Sequence, residues 1–168
     1  MSSLRKILKA RLLGAKRIAV LGIGSELRAD DAAGILVAKE VRKYSSRIKG
    51  QLKLRSFLGE TAPENLTGEI RRFSPTHLLI IDAFDMSETA GATRFFDVFD
   101  DSLNISFSTH KLPISILADY IRDSIGCKIG FIGIQPKSVD FAKAPSREIK
   151  KSITLVSGAI LEAIKNSA

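Results

Sequence analysis

Apolar runs of strand length alternate along the chain with stretches whose apolar residues recur at helical spacing. The runs at 18–24 and 129–134 are continuously apolar, and the run at 77–82 has four apolar residues between His77 and Asp82. Such runs are typical of strands buried on both faces of a sheet. Residues 52–58 alternate between apolar and polar and predict a less buried strand, and residues 93–99 predict an aromatic-rich strand at an edge. Strands alternating with helices predict an α/β sandwich.

Helices are predicted between these strands. They are expected at residues 3–13, from the Asp30-Asp31 pair to about Tyr44, from Thr61 to about Phe73, from Pro113, and from a capping Ser146. The first is basic and amphipathic, so it suits a helix packed on the domain, a membrane-surface helix or an organelle address. Without repeats or a linker, the chain is expected to form a single domain, residues 1–168, with a basic N-terminal helix or arm at 1–14 and a core at 17–164.

The composition is that of an ordinary globular protein, with 45% hydrophobic and 26% charged residues. The net charge of +8 favours an acidic partner or surface. No apolar run approaches the roughly 20 residues that cross a bilayer, so no stable membrane insertion is expected. The lone cysteine, Cys127, excludes an internal disulfide, and no signal peptide is evident. We therefore expect a cytoplasmic protein in which Cys127 is buried.

Acidic residues follow the ends of two predicted strands. Asp30 and Asp31 follow the first strand, Asp82 closes the strand at 77–82, and His110 lies in a predicted loop. Ligands of open α/β sheets bind beyond the carboxyl ends of the strands, where two carboxylates and an imidazole would suit a divalent metal. Each residue also has a structural interpretation, because the aspartates could cap a helix or a loop and the histidine could simply face solvent. His77, at the amino end of its strand, is interpreted as structural.

Two other functional classes remain open from the residues alone. Gly22 and Gly24 after a strand suggest a small-ligand or nucleotide-binding α/β domain. Leu27, however, occupies the place of the third glycine in the dinucleotide fingerprint, and the aspartates put negative charge where a pyrophosphate would sit. The basic arm suggests nucleic-acid binding, but no interleaved aromatic and basic motif is present, so no nucleic-acid partner is expected.

Five sequence blocks resemble, in order and in spacing, motifs of the nickel–iron hydrogenase maturation endopeptidases. They lie at residues 22–34, 59–65, 81–86, 108–113 and 133–136. The best fit is the branch that processes hydrogenase 3 of formate hydrogenlyase, and the resemblance covers residues 17 to about 164. Three residues depart from the family pattern: Ser25 replaces an asparagine, Ala32 replaces a glycine, and Glu60 sits inside a Gly-Thr turn.

The resemblance implies a monomer with a three-layer α/β/α sandwich around a mostly parallel twisted sheet of about five strands. Its implied activity is that of an endopeptidase that removes the C-terminal extension of a nickel-loaded hydrogenase large-subunit precursor. The family's metal ligands fall on Asp31, Asp82 and His110, with nickel expected to arrive on the substrate and other divalent metals able to substitute. Asp31 or Asp82 is the candidate catalytic base, as in an aspartyl-type protease without an acyl-enzyme. Alternatively, the metal only docks the substrate and another acid such as Asp30 serves the chemistry.

Overall fold

A five-stranded sheet forms the centre of the computed structural model, which describes residues 2–48, 50–97 and 114–166. The strands are β1 (Arg17–Ile23), β2 (Lys53–Glu60), β3 (His77–Ala83), β4 (Thr93–Asp97) and β5 (Lys128–Ile134). Their order is β2-β1-β3-β5-β4, with every neighbouring pair parallel except β4, which runs antiparallel to β5 at one edge. The predicted mostly parallel sheet and its aromatic-rich edge strand are therefore confirmed.

Helices connect most of these strands. They are α1 (Ser2–Arg11), α2 (Ala33–Ser45), α3 (Thr67–Phe73), α4 (Ile114–Ile125) and α5 (Arg147–Lys165), with 3₁₀ turns at Ala29–Ala32 and Pro63–Leu66. Ser146 caps α5 as predicted, because its hydroxyl accepts a hydrogen bond from the Ile149 amide. The predicted cap of the second helix is wrong: Asp30 and Asp31 lie in the first 3₁₀ turn, and no side chain caps α2. The predicted loop at 100–110 and the helix start at Pro113 lie outside the described residues.

The helices cover both faces of the sheet in three layers, which confirms the predicted fold class. Within β1, Ile18 and Val20 join the core beneath α1, α2 and α5, whereas Ala19 and Leu21 join the core beneath α3 and α4. This alternation within one strand shows why the central strands are apolar at every position, since both of their faces are buried.

The basic N-terminal helix packs on the domain. Leu4, Leu8 and Leu12 are buried against α5 and the neighbouring core. Arg5 forms an ion pair with Glu162, and Arg11 forms one with Asp97 at 2.7 Å. The apolar stripe that suggested a membrane-surface helix is thus buried in the hydrophobic core of the protein. Among the described helices, none combines the length and the apolar character that crossing a bilayer requires.

Two glycines let α2 lie directly on the sheet near the carboxyl ends of its strands. A Cβ at Gly22 would lie 2.3 Å from the carbonyl oxygen of Gly34, and a Cβ at Gly34 would lie 2.2 Å from that of Ile81. Any side chain at either position would clash with backbone. The close contact fixes the start of α2 against the ends of β1, which precedes Asp31, and of β3, which contains Asp82.

Candidate active site

Two of the three predicted site residues lie at the carboxyl ends of adjacent parallel strands. Gly22 of β1 pairs with Ile81 of β3, so Asp82 is one residue beyond the last pair of this ladder. Asp31 lies in the 3₁₀ turn after β1, and that turn packs against β3. Asp31 is 6% exposed and Asp82 is 3% exposed. The third predicted residue, His110, lies outside the described residues.

The carboxylate of Asp31 is positioned by the backbone that leads into it. Its Oδ2 accepts a hydrogen bond from the Ser25 amide at 2.9 Å. Gly24 makes this turn possible, because its φ of 127° is one that side chains rarely allow and its Cβ would lie 1.8 Å from the Asp31 carbonyl oxygen. Gly24, the second glycine of the apparent dinucleotide motif, therefore allows the backbone at this position to pack closely against the backbone of Asp31.

Asp30 has a different role from its neighbour. It is fully buried, and its carboxylate accepts hydrogen bonds from the amides of Lys137 (2.7 Å), Ser138 (3.2 Å) and Ser146 (2.6 Å) and from the Ser146 hydroxyl (3.0 Å). Such charge-assisted bonds to a buried carboxylate are strong. We infer that Asp30 is structural. Because its oxygens bind these donors, it does not cap α2. This geometry also gives no support to the alternative in which Asp30 is the reacting acid.

Backbone hydrogen bonds extend the contact that Asp30 makes. They join the acidic loop (residues 24–32) to the long loop (residues 135–146). Ala29 donates to Lys143 at 3.0 Å, and Ala142 donates to Leu27 at 2.8 Å. Ala29 itself has a left-handed φ of 42°, a conformation that costs an alanine about 1 kcal/mol. The buried bonds of Asp30 hold the turn in this conformation, and so fix the direction from which Asp31 approaches the strand ends.

Gln135 orders the segment that follows Asp82. Its Oε1 accepts hydrogen bonds from the amides of Met86 (2.6 Å) and Glu88 (3.3 Å), and its Nε2 donates to Asp85 at 3.2 Å. A bond from the Ser87 amide, followed by the bond from Gln135, lowers the pKa of Asp85. Sequence reasoning missed this positioning role of Gln135, although the Gly-Ile-Gln-Pro block contained the residue.

The donor atoms near the strand ends fit a divalent cation in part. Carboxylate oxygens are suitable ligands for such ions. Within residues 2–48, 50–97 and 114–166, no group of three potential ligands lies close enough to hold a metal. A complete coordination shell around Asp31 and Asp82 therefore needs a further donor, which His110 or a substrate would have to supply.

The other candidate residues lie at the opposite end of the sheet. His77 begins β3 and is 6% exposed, and burial followed by the charge of Lys128 lowers its pKa. Cys127 precedes β5 and is buried as predicted, and burial raises the pKa of its thiol to about 11. Neither residue lies at the carboxyl ends of the strands, so the predicted position of His77 away from the crevice is confirmed.

Comparisons with known proteins agree with this architecture. A family model described as the hydrogenase maturation protease HycI matches residues 35–163. The hydrogenase 3 maturation protease of Escherichia coli K12 is 35% identical over 137 residues, which are 82% of this chain and 84% of that protein.

Solved structures show the same fold. The crystal structure of the [NiFe] hydrogenase maturation protease HycI from Thermococcus kodakarensis has a TM-score of 0.84 at 32% identity and covers 95% of this chain and 99% of that one. The hydrogenase maturating endopeptidase HybD from Escherichia coli shares the fold with a TM-score of 0.68 at 21% identity, covering 90% of this chain and 94% of that one. Because the family model matches most of the chain and a relative 35% identical covers 82% of it, the chain belongs to the hydrogenase maturation protease family.

Proposed function

We propose that the protein is an endopeptidase that removes the C-terminal extension of a nickel-loaded hydrogenase large-subunit precursor. The observation that carries this proposal is the arrangement of two buried carboxylates, Asp31 and Asp82, at the carboxyl ends of neighbouring parallel strands. The family supports a precursor protein as the substrate. The two glycines were the main argument for the alternative nucleotide-binding function. That argument fails, because Gly22 and Gly24 accommodate the protein's own backbone.

In this proposal Asp31, Asp82 and His110 contact the nickel that the substrate carries. Oxygen and imidazole donors suit nickel, and the substrate supplies the sulfur donors. The contact makes processing conditional on nickel and orients the nearby peptide bond. The nickel itself can polarise the carbonyl of that bond. Because the Ser25 amide fixes the Asp31 carboxylate, this ligand needs little rearrangement on binding.

One of the two carboxylates then acts as the general base. It removes a proton from water as the water oxygen bonds to the carbonyl carbon. The peptide C–N bond breaks, and the carboxylate returns the proton to the leaving amine. In the alternative, nickel serves for recognition only, and Asp31 and Asp82 position the substrate without moving a proton. Single-turnover rates of Asp31→Asn and Asp82→Asn at saturating precursor separate these cases, since only in the first case does the loss of one carboxylate slow the chemical step itself.

The direct test incubates the protein with nickel-loaded and nickel-free forms of the precursor. Loss of the extension, measured by intact-protein mass spectrometry, is expected only for the nickel-loaded form. Equal cleavage of both forms would contradict the recognition of nickel, and cleavage of neither would contradict the proposed activity.

Substitutions test the site residues. Asp31→Asn and His110→Ala should each lower the cleavage rate at least about a hundredfold, because each removes a group that contacts the nickel or the reacting water. Asp123→Asn is the matched control, since Asp123 is an exposed acid on α4. Circular dichroism should show that all three variants are folded. Normal cleavage by Asp31→Asn or His110→Ala would remove that residue from the site.

The cytoplasmic location and the monomeric state remain part of this proposal. A buried, unpaired thiol at Cys127 accords with a reducing compartment. Sedimentation of the purified protein at a mass near 18.3 kDa would support the monomer.

A further inference from the structure

Three large apolar side chains are exposed on the acidic loop and the long loop. Leu27 is 64% exposed, Phe141 is 71% exposed and Val139 is 37% exposed. We call these three residues the apolar rim. A single exposed apolar residue needs no explanation, but several on connected segments often mark an interaction surface.

The apolar rim is held in place by hydrogen bonds. The Leu27 carbonyl accepts from the Ala142 amide, next to Phe141, and the Arg28 side chain donates to the Val139 carbonyl at 3.3 Å. The long loop is further fixed by the buried bonds of Asp30 described above. The exposed side chains therefore extend from an ordered backbone. Binding of a partner to them would not lose conformational entropy through the ordering of these loops.

The position of the rim links it to the proposed active site. Leu27 lies in the same loop as Asp31, four residues before it. The amide of Ser25, also in this loop, donates a hydrogen bond to the Asp31 carboxylate. A partner seated on the rim is thus brought next to the strand ends where Asp31 and Asp82 lie. This continuity distinguishes the rim from Leu13, which is equally exposed at 70% but precedes β1 at the opposite end of the sheet.

The charges beside the rim indicate the chemistry of the partner. Lys143 pairs with Asp140 at 2.7 Å, and Lys137 pairs with Glu148 at 3.0 Å. Arg28, in contrast, has no acidic partner among the described residues. A complementary surface would therefore offer an apolar depression for the rim and an acidic group for Arg28.

We propose that the apolar rim docks the folded body of the hydrogenase large-subunit precursor and so delivers its nickel and its tail to the strand ends. The inference rests on the proposed function, and it adds a binding surface outside the nickel-contacting residues. Aromatic and large aliphatic side chains at the centre of such surfaces account for most of the binding free energy.

The test compares cleavage of nickel-loaded precursor by the wild type, by the double variant Leu27→Ser/Phe141→Ser, and by Leu13→Ser as the control of equal exposure. The double variant should raise KM about tenfold or more, which is the usual effect of losing two anchoring side chains, with kcat within about twofold. Leu13→Ser should match the wild type. Thermal unfolding should be unchanged in both variants, because the substituted side chains are exposed.

Binding is measured separately so that the two proposals can fail separately. In an Asp31→Asn background, calorimetry with nickel-loaded precursor should show weaker binding when Leu27 and Phe141 are also replaced by serine. Failure of the wild type to cleave would overturn the proposed activity, and this binding comparison would still decide the role of the rim. Unchanged KM and unchanged binding in the rim variants would overturn the inference. So would a wild type that self-associates in sedimentation through a contact that the double variant abolishes, because the rim would then bind a second copy.

Discussion

His77 is a buried imidazole whose protonation opposes folding. Its Nδ1 lies 3.0 Å from the Thr76 hydroxyl, while Nε2 is buried and has no hydrogen-bond partner in the part of the chain that the structure describes. Burial first, and then the nearby charge of Lys128, lower its pKa from the ordinary value of 6.5. The native state therefore binds a proton less readily than the unfolded chain does.

This lowered pKa predicts the direction of a pH effect on stability. The contribution of neutral His77 is fully present above pH 6.5 and is lost as the pH falls towards the lowered native pKa. The free energy of unfolding should consequently fall more between pH 7.5 and pH 5 in the wild type than in His77→Gln. Guanidinium denaturation at several pH values measures this difference. His110 is present in both proteins, so its own contribution cancels, and parallel pH profiles would contradict the prediction.

At the scale of elements, the packing of α2 on the sheet depends on glycine. A Cβ at Gly34 would lie 2.2 Å from the Ile81 carbonyl oxygen and 2.4 Å from that of Ile23. These are backbone atoms of central strands, so the helix itself would have to move away. Because Asp31 lies in the turn directly before this helix, its position depends on the same close contact.

Two alanine substitutions test the contact with opposite expected signs. Gly34→Ala should lower the free energy of unfolding by about 3 kcal/mol through overpacking. Gly158→Ala, in the middle of α5 with nothing within 4 Å of its Cβ, should raise it by about 0.5–1 kcal/mol through helix propensity. Chemical denaturation of both variants measures these changes in the free energy of unfolding. A Gly34→Ala protein as stable as Gly158→Ala would show that α2 can move at little cost.

The elements were predictable where the cause is local. The strands of the sheet centre stand out because burial on both faces makes each position apolar, as at Leu78 to Ile81. Ser146 is predictable as a cap because it directly precedes an amphipathic helix. The sequence predicts a capping role for Asp30 because an acid before a helix is the usual pattern of a cap, and this prediction is wrong. Its true partners lie more than a hundred residues away, and nothing nearby in the sequence indicates them.

The candidate site was predictable only as a set of strand-end residues. Parallel neighbouring strands bring Asp31 and Asp82 to one end of the sheet, and the sequence was enough to predict that both carboxylates lie at that end. The sequence did not predict that Leu27 and Phe141 are exposed, because an apolar residue in a loop is as often buried as exposed to solvent. That distinction depends on how the acidic loop and the long loop are hydrogen-bonded together.

On the scale of the whole molecule, Asp30 connects the first third of the chain to the last. It accepts hydrogen bonds from Lys137, Ser138 and Ser146, and the third of these also caps α5. The same carboxylate thus stabilises the turn before α2 and the loop before α5. These two helices also pack against each other on one face of the sheet.

Asp30→Asn should therefore destabilise the entire fold. Replacing one carboxylate oxygen by an NH₂ group puts a donor where an acceptor faces amide donors, and the loss of charge weakens the remaining bonds. The expected loss is about 3 kcal/mol in the free energy of unfolding, measured by chemical denaturation. Asp140→Asn, an exposed acid of the long loop, should leave the stability nearly unchanged. Equal stability of the two variants would show that Asp30 is dispensable.

The distance along the chain between Asp30 and its donors also governs when the site can form. On the ribosome, the acidic turn emerges early, but the amides that hold its buried carboxylate are synthesised 107 to 116 residues later. A nascent or truncated chain that ends before Lys137 has the aspartates yet lacks the groups that set their geometry. The buried hydrogen bonds that order the acidic turn can therefore all form only after the chain has been synthesised as far as Ser146.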